Sequence, residues 1–510
     1  MSQSHRREFL QEVSGGMLAV LVGPSLAAGL GFAAEDDRDN AAKTPAGLGR
    51  LSRLIQETPT KDLLPALHTE LKGGVSLKEL IAAGALANAR AFGGRDYNGY
   101  HSFMALCPSY AMARALPEKE RALPVLKVLY RTSTHIHGAH CAHEDHLDPV
   151  TPAKLDGRTP PAERMREASR AAKLAEAEQI FASLKGTPEQ TYDDVQLLIQ
   201  DDLNVHRVVL AWRAWEVLDF IGKDHARDML RQTVRFCSDP QHGGRTPHPI
   251  RTVLPRLLDA HNLLAARPGS KKVSDAWVET VAKTVYSDNQ EKAAQTVAEA
   301  LADGVDPAAI GEVISLAATM LVLGDPGRPK EHAEPGKPEG SIHGASVGVH
   351  ASDAANGWRH IAGVASARNT FASLIAAAYH TAGQTGRQMS KPYPLPEDLE
   401  KVEPTDGAGL IGALDEALRG KDQRRAAAVA ARYGALGQDP AAILTKLRQY
   451  AVTDDGALHA EKYYNTVSEE FGRSRPKFRW MHVTALARVT ASAAGQPAPG
   501  LDEARTLLGL

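Results

Sequence analysis

The sequence predicts an all-α protein in which divergent helical repeats form an α/α array, either a solenoid or a toroid. Aromatic residues make up only 5% of the 510 residues, whereas Ala and Leu are frequent, and this balance favours helix over sheet. Apolar residues recur at spacings of three and four almost throughout, without convincing runs of alternating strand pattern. Similar helix-opening motifs also return along the chain, which is typical of repeat architectures.

Residues 1–34 have the composition of an export signal. Arg6 and Arg7 precede an uncharged, mostly apolar run from Val13 to Ala34 that ends in small residues. The arginine pair resembles a twin-arginine signal, so we expect export to the periplasm by that route. A retained membrane anchor is the alternative, which the glycines and the proline in the run weaken. We expect no stable membrane span once the signal is removed.

Charge and cysteine content narrow the class of protein. Fifty-nine Lys and Arg residues against 61 Asp and Glu residues leave a net charge of −2, which argues against a dedicated nucleic-acid binder. Three cysteines allow at most one internal disulfide, so the chain is no disulfide-stapled scaffold. The 20 histidines are clustered rather than scattered, and they carry the strongest hint of chemistry.

Four units share the order of a capped helix followed by a second helix that begins near a histidine. Ser76 with Glu79 predicts a capping box, and Asp306 and Asp439, each followed by proline, predict N-caps of the same kind. The histidines at the equivalent positions are His101, His206, His343 and His459. A helix N-terminus favours neutral imidazole, which can ligate a metal or accept a proton.

The stretch 324–340 is rich in Pro, Gly and charge, and it predicts a linker. The remaining mature chain then divides into two helical repeat regions, 35–323 and 341–510. One continuous body is the alternative.

The densest group of candidate metal ligands is the His-rich loop 135–146. Imidazole, thiolate and carboxylate are donors that Zn, Cu, Ni and Fe accept, but their spacing here matches no fixed metal motif. The predicted ligands in this loop are His135, His137, His140, His143 and His146. The alternative is a solvated polar loop with incidental metal affinity.

A second group follows the linker. On one helix, His343, His350, Asp353 and His360 would fall within an arc of about 100°. Three imidazoles and a carboxylate on one face suit metal ligation, or a general base that Asp353 orients. The alternative is a hydrogen-bonded polar seam between repeats. We take His101, His206, His343, His350 and Asp353 as candidate catalytic residues.

Two short stretches resemble the His-headed helices of the questin-oxidase-like family. They run from Gly99 to Leu106 (GYHSFMAL) and from Ile342 to Ala351 (IHGASVGVHA). The resemblance implies an all-helical protein that opens polycyclic aromatic quinones with oxygen. The predicted export signal is a departure from that pattern, because a supply of reduced nicotinamide is not expected outside the cytoplasm.

The sequence favours an exported oxidoreductase with a His-lined cavity. Its substrate would be a small organic molecule, aromatic molecules included. A transition metal, Fe, Cu or Zn, would be its cofactor. Two alternatives stay open, a non-catalytic helical-repeat binding protein and a metal carrier that uses loop 135–146.

Overall fold

The computed structural model describes residues 45–510 except 46, 156, 243–247, 343, 345, 387 and 390. Its regular structure is helical, and the described part of the chain holds isolated β-bridges but no strand. The prediction of an all-α protein is confirmed. Whether the repeats form a solenoid or a toroid stays a prediction. The predicted signal at 1–34 and the candidate ligand His343 lie outside the described residues.

The helices of the first half are α1 Leu48–Glu57, α2 Thr60–Lys72, α3 Leu77–Phe92, α4 Tyr97–Arg114, α5 Ala122–Gly138, α6 Pro161–Arg170, α7 Leu174–Ser183, α8 Pro188–Ile199, α9 Val205–Glu216, α10 Leu218–Ile221, α11 Ala226–Ser238 and α12 Ile250–Ala260. Those of the second half are α13 Asp275–Val285, α14 Gln290–Ala302, α15 Pro307–Gly324, α16 Val347–Val364, α17 Ala367–Ala382, α18 Pro396–Leu399, α19 Gly407–Arg419, α20 Gln423–Ala435, α21 Pro440–Thr453, α22 His459–Arg473, α23 Trp480–Ala493 and α24 Leu501–Leu508. Short 3₁₀ turns occur at Glu118–Glu120, Lys223–His225 and Lys330–His332.

The predicted helix starts are present. Ser76 caps α3 and forms a reciprocal capping box with Glu79. Asp306 caps α15 and Asp439 caps α21, each with proline as the first helical residue. These local signals are readable from sequence because each involves only the four residues around one helix end.

One large hydrophobic cluster of buried residues runs from Leu48 to Ala504 and so draws on both ends of the described chain. Helix α15 is the single described helix that is long and apolar enough to span a membrane, but 83% of its most apolar window is buried inside the protein. It packs against α16, and the predicted linker 324–340 connects these two helices. The division into two repeat regions stays a prediction.

Four helices from distant parts of the sequence pack in a closed cycle. Helix α4 contacts α9, α9 contacts α16, α16 contacts α22, and α22 returns to α4. The cycle brings the N-terminal parts of these helices to one place, and a histidine lies in each of them.

Candidate functional site

Four imidazoles lie around the cycle of helices in the same order as the helices themselves. The ring centres of His101 and His206 are 5.2 Å apart, those of His206 and His350 are 5.3 Å apart, those of His350 and His459 are 5.5 Å apart, and those of His459 and His101 are 5.3 Å apart. Between His350 and His459 the two Nε2 atoms are 3.4 Å apart. We call these residues the four-histidine cluster.

Each imidazole of the cluster lies in the first five residues of its helix. His459 is the first residue of α22, His206 the second of α9, His350 the fourth of α16 and His101 the fifth of α4. The positive end of a helix dipole disfavours imidazolium, so four such ends together favour neutral rings. The sequence predicts this placement for His101, His206 and His459, whereas the fourth ring of the cluster belongs to His350.

Three of the four rings are oriented through Nδ1. Nδ1 of His101 donates to the carbonyl oxygen of Tyr97 at 2.6 Å, and Nδ1 of His459 donates to that of Ala457 at 3.1 Å. Nδ1 of His206 donates to Oδ1 of Asn204 at 3.1 Å. A neutral ring that donates through Nδ1 keeps a lone pair on Nε2, and this is how metal-ligating histidines are commonly oriented.

Burial favours the neutral form of two of the four rings. His101 and His459 are 7% and 6% exposed. Loss of solvation, with a smaller contribution from the charge of Lys462, lowers the pKa of His101 to about 2 and that of His206 to about 3. Neutral rings are therefore available far below the pH at which a solvent-exposed histidine becomes protonated.

A buried acid and a buried base lie beside the cluster. Lys462, one helical turn after His459, is 3% exposed, and burial lowers its pKa to about 8, although Asp353 and Glu461 oppose that shift. Burial raises the pKa of Asp353 to about 6, and the charge of Lys462 opposes it. Oδ1 of Asp353 accepts a hydrogen bond from Oγ1 of Thr466 at 2.7 Å. Both groups can thus exchange protons near neutral pH.

Tyrosines cover one side of the cluster. The ring of Tyr97 lies 4.9 Å from that of His101 and 5.2 Å from that of His206, and its hydroxyl donates to Nε2 of His206 at 3.4 Å. Tyr97 is nevertheless 50% exposed, whereas Tyr100, which stacks on His101 at 4.7 Å, is fully buried. Tyr97 therefore separates the cluster from solvent on this side.

The turn before His459 holds an unusual backbone conformation. Ala457 and Leu458 have φ values of 48° and 66°, in the left-handed region that costs an ordinary residue roughly 1–2 kcal/mol. Lys127 donates to the carbonyl oxygen of Asp454, and Arg131 pairs with Asp455, so neighbouring α5 holds this turn in place. Strained backbone of this kind occurs preferentially at functional sites.

A glycine lies directly against His459. A Cβ atom on Gly344 would lie 2.4 Å from Cβ of His459, closer than real Cβ contacts allow. The segment before α16 can therefore reach the cluster only because residue 344 lacks a side chain.

The second predicted group of ligands does not act as one set. His350 belongs to the cluster and Asp353 lies one turn further along α16, beside Lys462 rather than against an imidazole. His360 is ten residues, or about 15 Å, from His350 along the helix axis. Its Nε2 atom lies 2.5 Å from Oε2 of Glu469, and its ring stacks on Trp212 at 4.2 Å. His350 and His360 therefore cannot ligate the same ion.

The predicted ligands of loop 135–146 are also dispersed. His135 and His137 lie in α5, where Nε2 of His137 donates to the carbonyl oxygen of Thr58 at 2.8 Å. His140 and His143 are exposed, and His146 is half-buried with its Cβ near Gly93. Within the described residues these histidines form no group of three that could hold a metal ion, so the stretch offers separate histidines, two exposed and three half-buried, rather than one ligand set.

Within the described residues, no group of three or more His, Cys, Asp or Glu side chains is already arranged to hold a metal ion. The four-histidine cluster is the place where imidazoles come nearest to such an arrangement. The 3.4 Å between Nε2 of His350 and Nε2 of His459 matches the ~3.4 Å expected between two nitrogens at about 2.05 Å from one tetrahedral ion.

No family model matches the chain, and comparison with curated proteins and with solved structures gives no match either. The resemblance to questin-oxidase-like proteins therefore stays a prediction.

The sequence does not single out Tyr97 or Lys462, which both lie at the cluster. His459 and Lys462 are three residues apart on one helix, so the sequence alone indicates that they lie on the same helix face. The sequence does not indicate the burial of Lys462, because that depends on the packing of α22 against α4 and α16.

Proposed function

We propose that this protein is a metal-dependent oxidoreductase whose transition-metal ion is held by His101, His206, His350 and His459. The observation that carries the proposal is the closed arrangement of four imidazoles, two buried and two half-buried, of which three donate through Nδ1 and so carry the lone pair on Nε2. Neutral imidazole is a preferred ligand of Fe, Cu and Zn, which leaves the identity of the ion open.

The residues around the four-histidine cluster favour a catalytic ion over a purely structural one. A closed structural site is commonly built from cysteines and histidines, but Cys107 and Cys237 are buried elsewhere, and Cys141 lies on loop 135–146. When bound, the ion would act as a Lewis acid or activate oxygen. Lys462 and Asp353 would hold and release protons beside it, since their pKa values lie near 8 and 6.

Tyr97 supports a gating role at the same site. Its ring covers His101 and His206, yet half of it faces solvent. Rotation of this one side chain would expose the cluster, and its return would exclude water from the ion. The substrate of the proposed reaction is a small organic molecule, in agreement with the sequence-based expectation.

The first test is elemental analysis with an absorption spectrum of untagged protein after native export. The proposal expects about one transition-metal ion per chain, lost in a His206→Ala, His350→Ala double variant and retained in a His140→Ala, His143→Ala double variant. Retention by the first variant and loss by the second would favour metal carriage through loop 135–146. Metal-free, colourless protein would favour the non-catalytic binding protein.

A further inference from the structure

A cavity of about 260 Å³ adjoins the four-histidine cluster at His459. It lies between the segment before α16, the strained turn before α22, and α23. His459 lines it and belongs to the cluster as well. The cavity is smaller than the roughly 300–1,000 Å³ typical of pockets for drug-sized ligands, so its ligand must be compact.

Apolar side chains make up most of the inner wall. Ile342, Leu486 and Val489 are buried there, and Tyr463 adds an aromatic surface. Hydrogen-bonding groups are placed towards the outer part, where Thr490 and Gln496 line the cavity. A wall of this composition fits a mainly apolar ligand with a polar group at one end.

The charges of the cavity disfavour an anion. The one cation among the described lining residues, Lys337, pairs with Glu334 at 3.0 Å, and Asp455 pairs with Arg131. Asp454 is a second lining carboxylate, and the backbone N–H of Gly495 donates to its Oδ2 at 3.1 Å. The charges of Lys127 and Lys421 also oppose that of Asp454, but neither lysine lines the cavity, so the lining itself keeps a net negative charge. A carboxylate ligand would face that charge in a partly desolvated site.

We propose that this cavity is the substrate site of the protein and that it selects compact, uncharged, mainly apolar molecules that extend towards His459. The inference rests on the function proposed above for the identity of the neighbouring cluster, but apart from His459 the residues that line the cavity are not among the proposed metal ligands. Gly344 serves both features, because its missing side chain lets the cavity wall lie against His459.

The test uses 2-naphthol as an uncharged probe and 2-naphthoate as its anionic counterpart, with binding to the full chain measured by calorimetry at pH 7.5, with and without added Cu²⁺. We expect 2-naphthol to bind at least tenfold more tightly than 2-naphthoate. Ala493→Trp and Thr490→Trp, both on the α23 wall, should each abolish binding, whereas the exposed Val364→Trp should not. Asp454→Asn should narrow the difference between the two probes.

The possible outcomes distinguish failure of the proposed substrate cavity from failure of the proposed metal site. Binding of 2-naphthol that both wall variants leave unchanged would overturn the proposal, as would equal affinity for the two probes in the wild type. Probe binding that the wall variants abolish in a protein that takes up no Cu²⁺ would support the cavity and contradict the proposed metal function. A Cu²⁺ absorption band that shifts with 2-naphthol, in the wild type but not in Ala493→Trp, would support both.

Discussion

Nε2 of His350 lies 3.4 Å from Nε2 of His459, although 109 residues separate the two histidines in the sequence. Neither ring could approach the other unless α16 packed against α22, and that contact is one of the four that close the cycle of helices. The candidate site is therefore a product of tertiary packing, and each of its rings comes from a different helix.

Removal of one ring of the cluster should abolish tight metal binding. The substitution His206→Ala removes a proposed ligand together with the ring that Asn204 orients. Changes in residues that only orient a ligand lower metal affinity by roughly 10- to 100-fold, so we expect a larger loss of metal affinity here. The matched control is His143→Ala, an exposed histidine of loop 135–146, which should bind as the wild type does. Competition with a chromophoric chelator measures both; equal losses in the two variants would contradict the assignment.

A methyl group at residue 344 should disturb the site without unfolding the protein. Gly344→Ala places a Cβ atom 2.4 Å from Cβ of His459, so the imidazole must move, and we expect metal affinity to fall by about 10- to 100-fold. Gly363→Ala is the control, because nothing lies within 4 Å of its Cβ and helix propensity should add up to about 1 kcal/mol of stability. Chelator competition and thermal unfolding distinguish the two; unchanged affinity in Gly344→Ala would argue against a role for His459.

The metal-free protein should lose stability as the pH falls below 6.5. The folded pKa of His101 is about 2, whereas the unfolded chain takes up a proton near 6.5, so between these values the unfolded state binds more protons. Between these two pKa values, this one group lowers the free energy of unfolding by up to about 1.4 kcal/mol for each unit by which the pH falls. Urea unfolding at pH 7.0 and 5.0 should show a smaller difference in His101→Gln than in the wild type; an equal difference would contradict the assignment of a neutral buried ring.

A buried ion pair between α5 and α22, beside the turn before His459, should contribute strongly to the free energy of unfolding. Nζ of Lys127 lies 2.6 Å from Oε1 of Glu461, and the two side chains are 1% and 0% exposed. Lys127→Met leaves the carboxylate of Glu461 without its cation, so we expect a loss of about 3–5 kcal/mol in the free energy of unfolding. The double variant with Glu461→Leu should recover part of that loss, and denaturant unfolding of both proteins measures it; additive losses would show that the two groups are not coupled.

Sequence could predict the local parts of this structure and not the closure of the site. The helix class and the caps at Ser76, Asp306 and Asp439 depend on neighbouring residues, and all are present. The placement of His101 and His206 near helix starts is of the same kind. By contrast, the joining of His350 rather than His360 to the cluster depends on how α16 crosses α9 and α22, which no local pattern encodes.

Local sequence patterns also do not predict the left-handed turn or the buried lysine. Ala457 and Leu458 are ordinary residues that favour right-handed backbone, and their conformation is imposed by the hold of α5 on the turn. Lys462 belongs to a residue type that is usually exposed, and it is buried only because its helix lies inside the cycle. Both departures from local preference lie beside the cluster, as expected of a functional site.

The most direct test of a four-histidine metal site is X-ray absorption at the K edge of the ion carried by the purified, untagged protein. The account predicts one ion per chain, surrounded mainly by imidazole nitrogens at roughly 2.0–2.1 Å, with that signal lost in the His206→Ala, His350→Ala double variant. An ion without imidazole ligands, or an unchanged spectrum in the double variant, would contradict it.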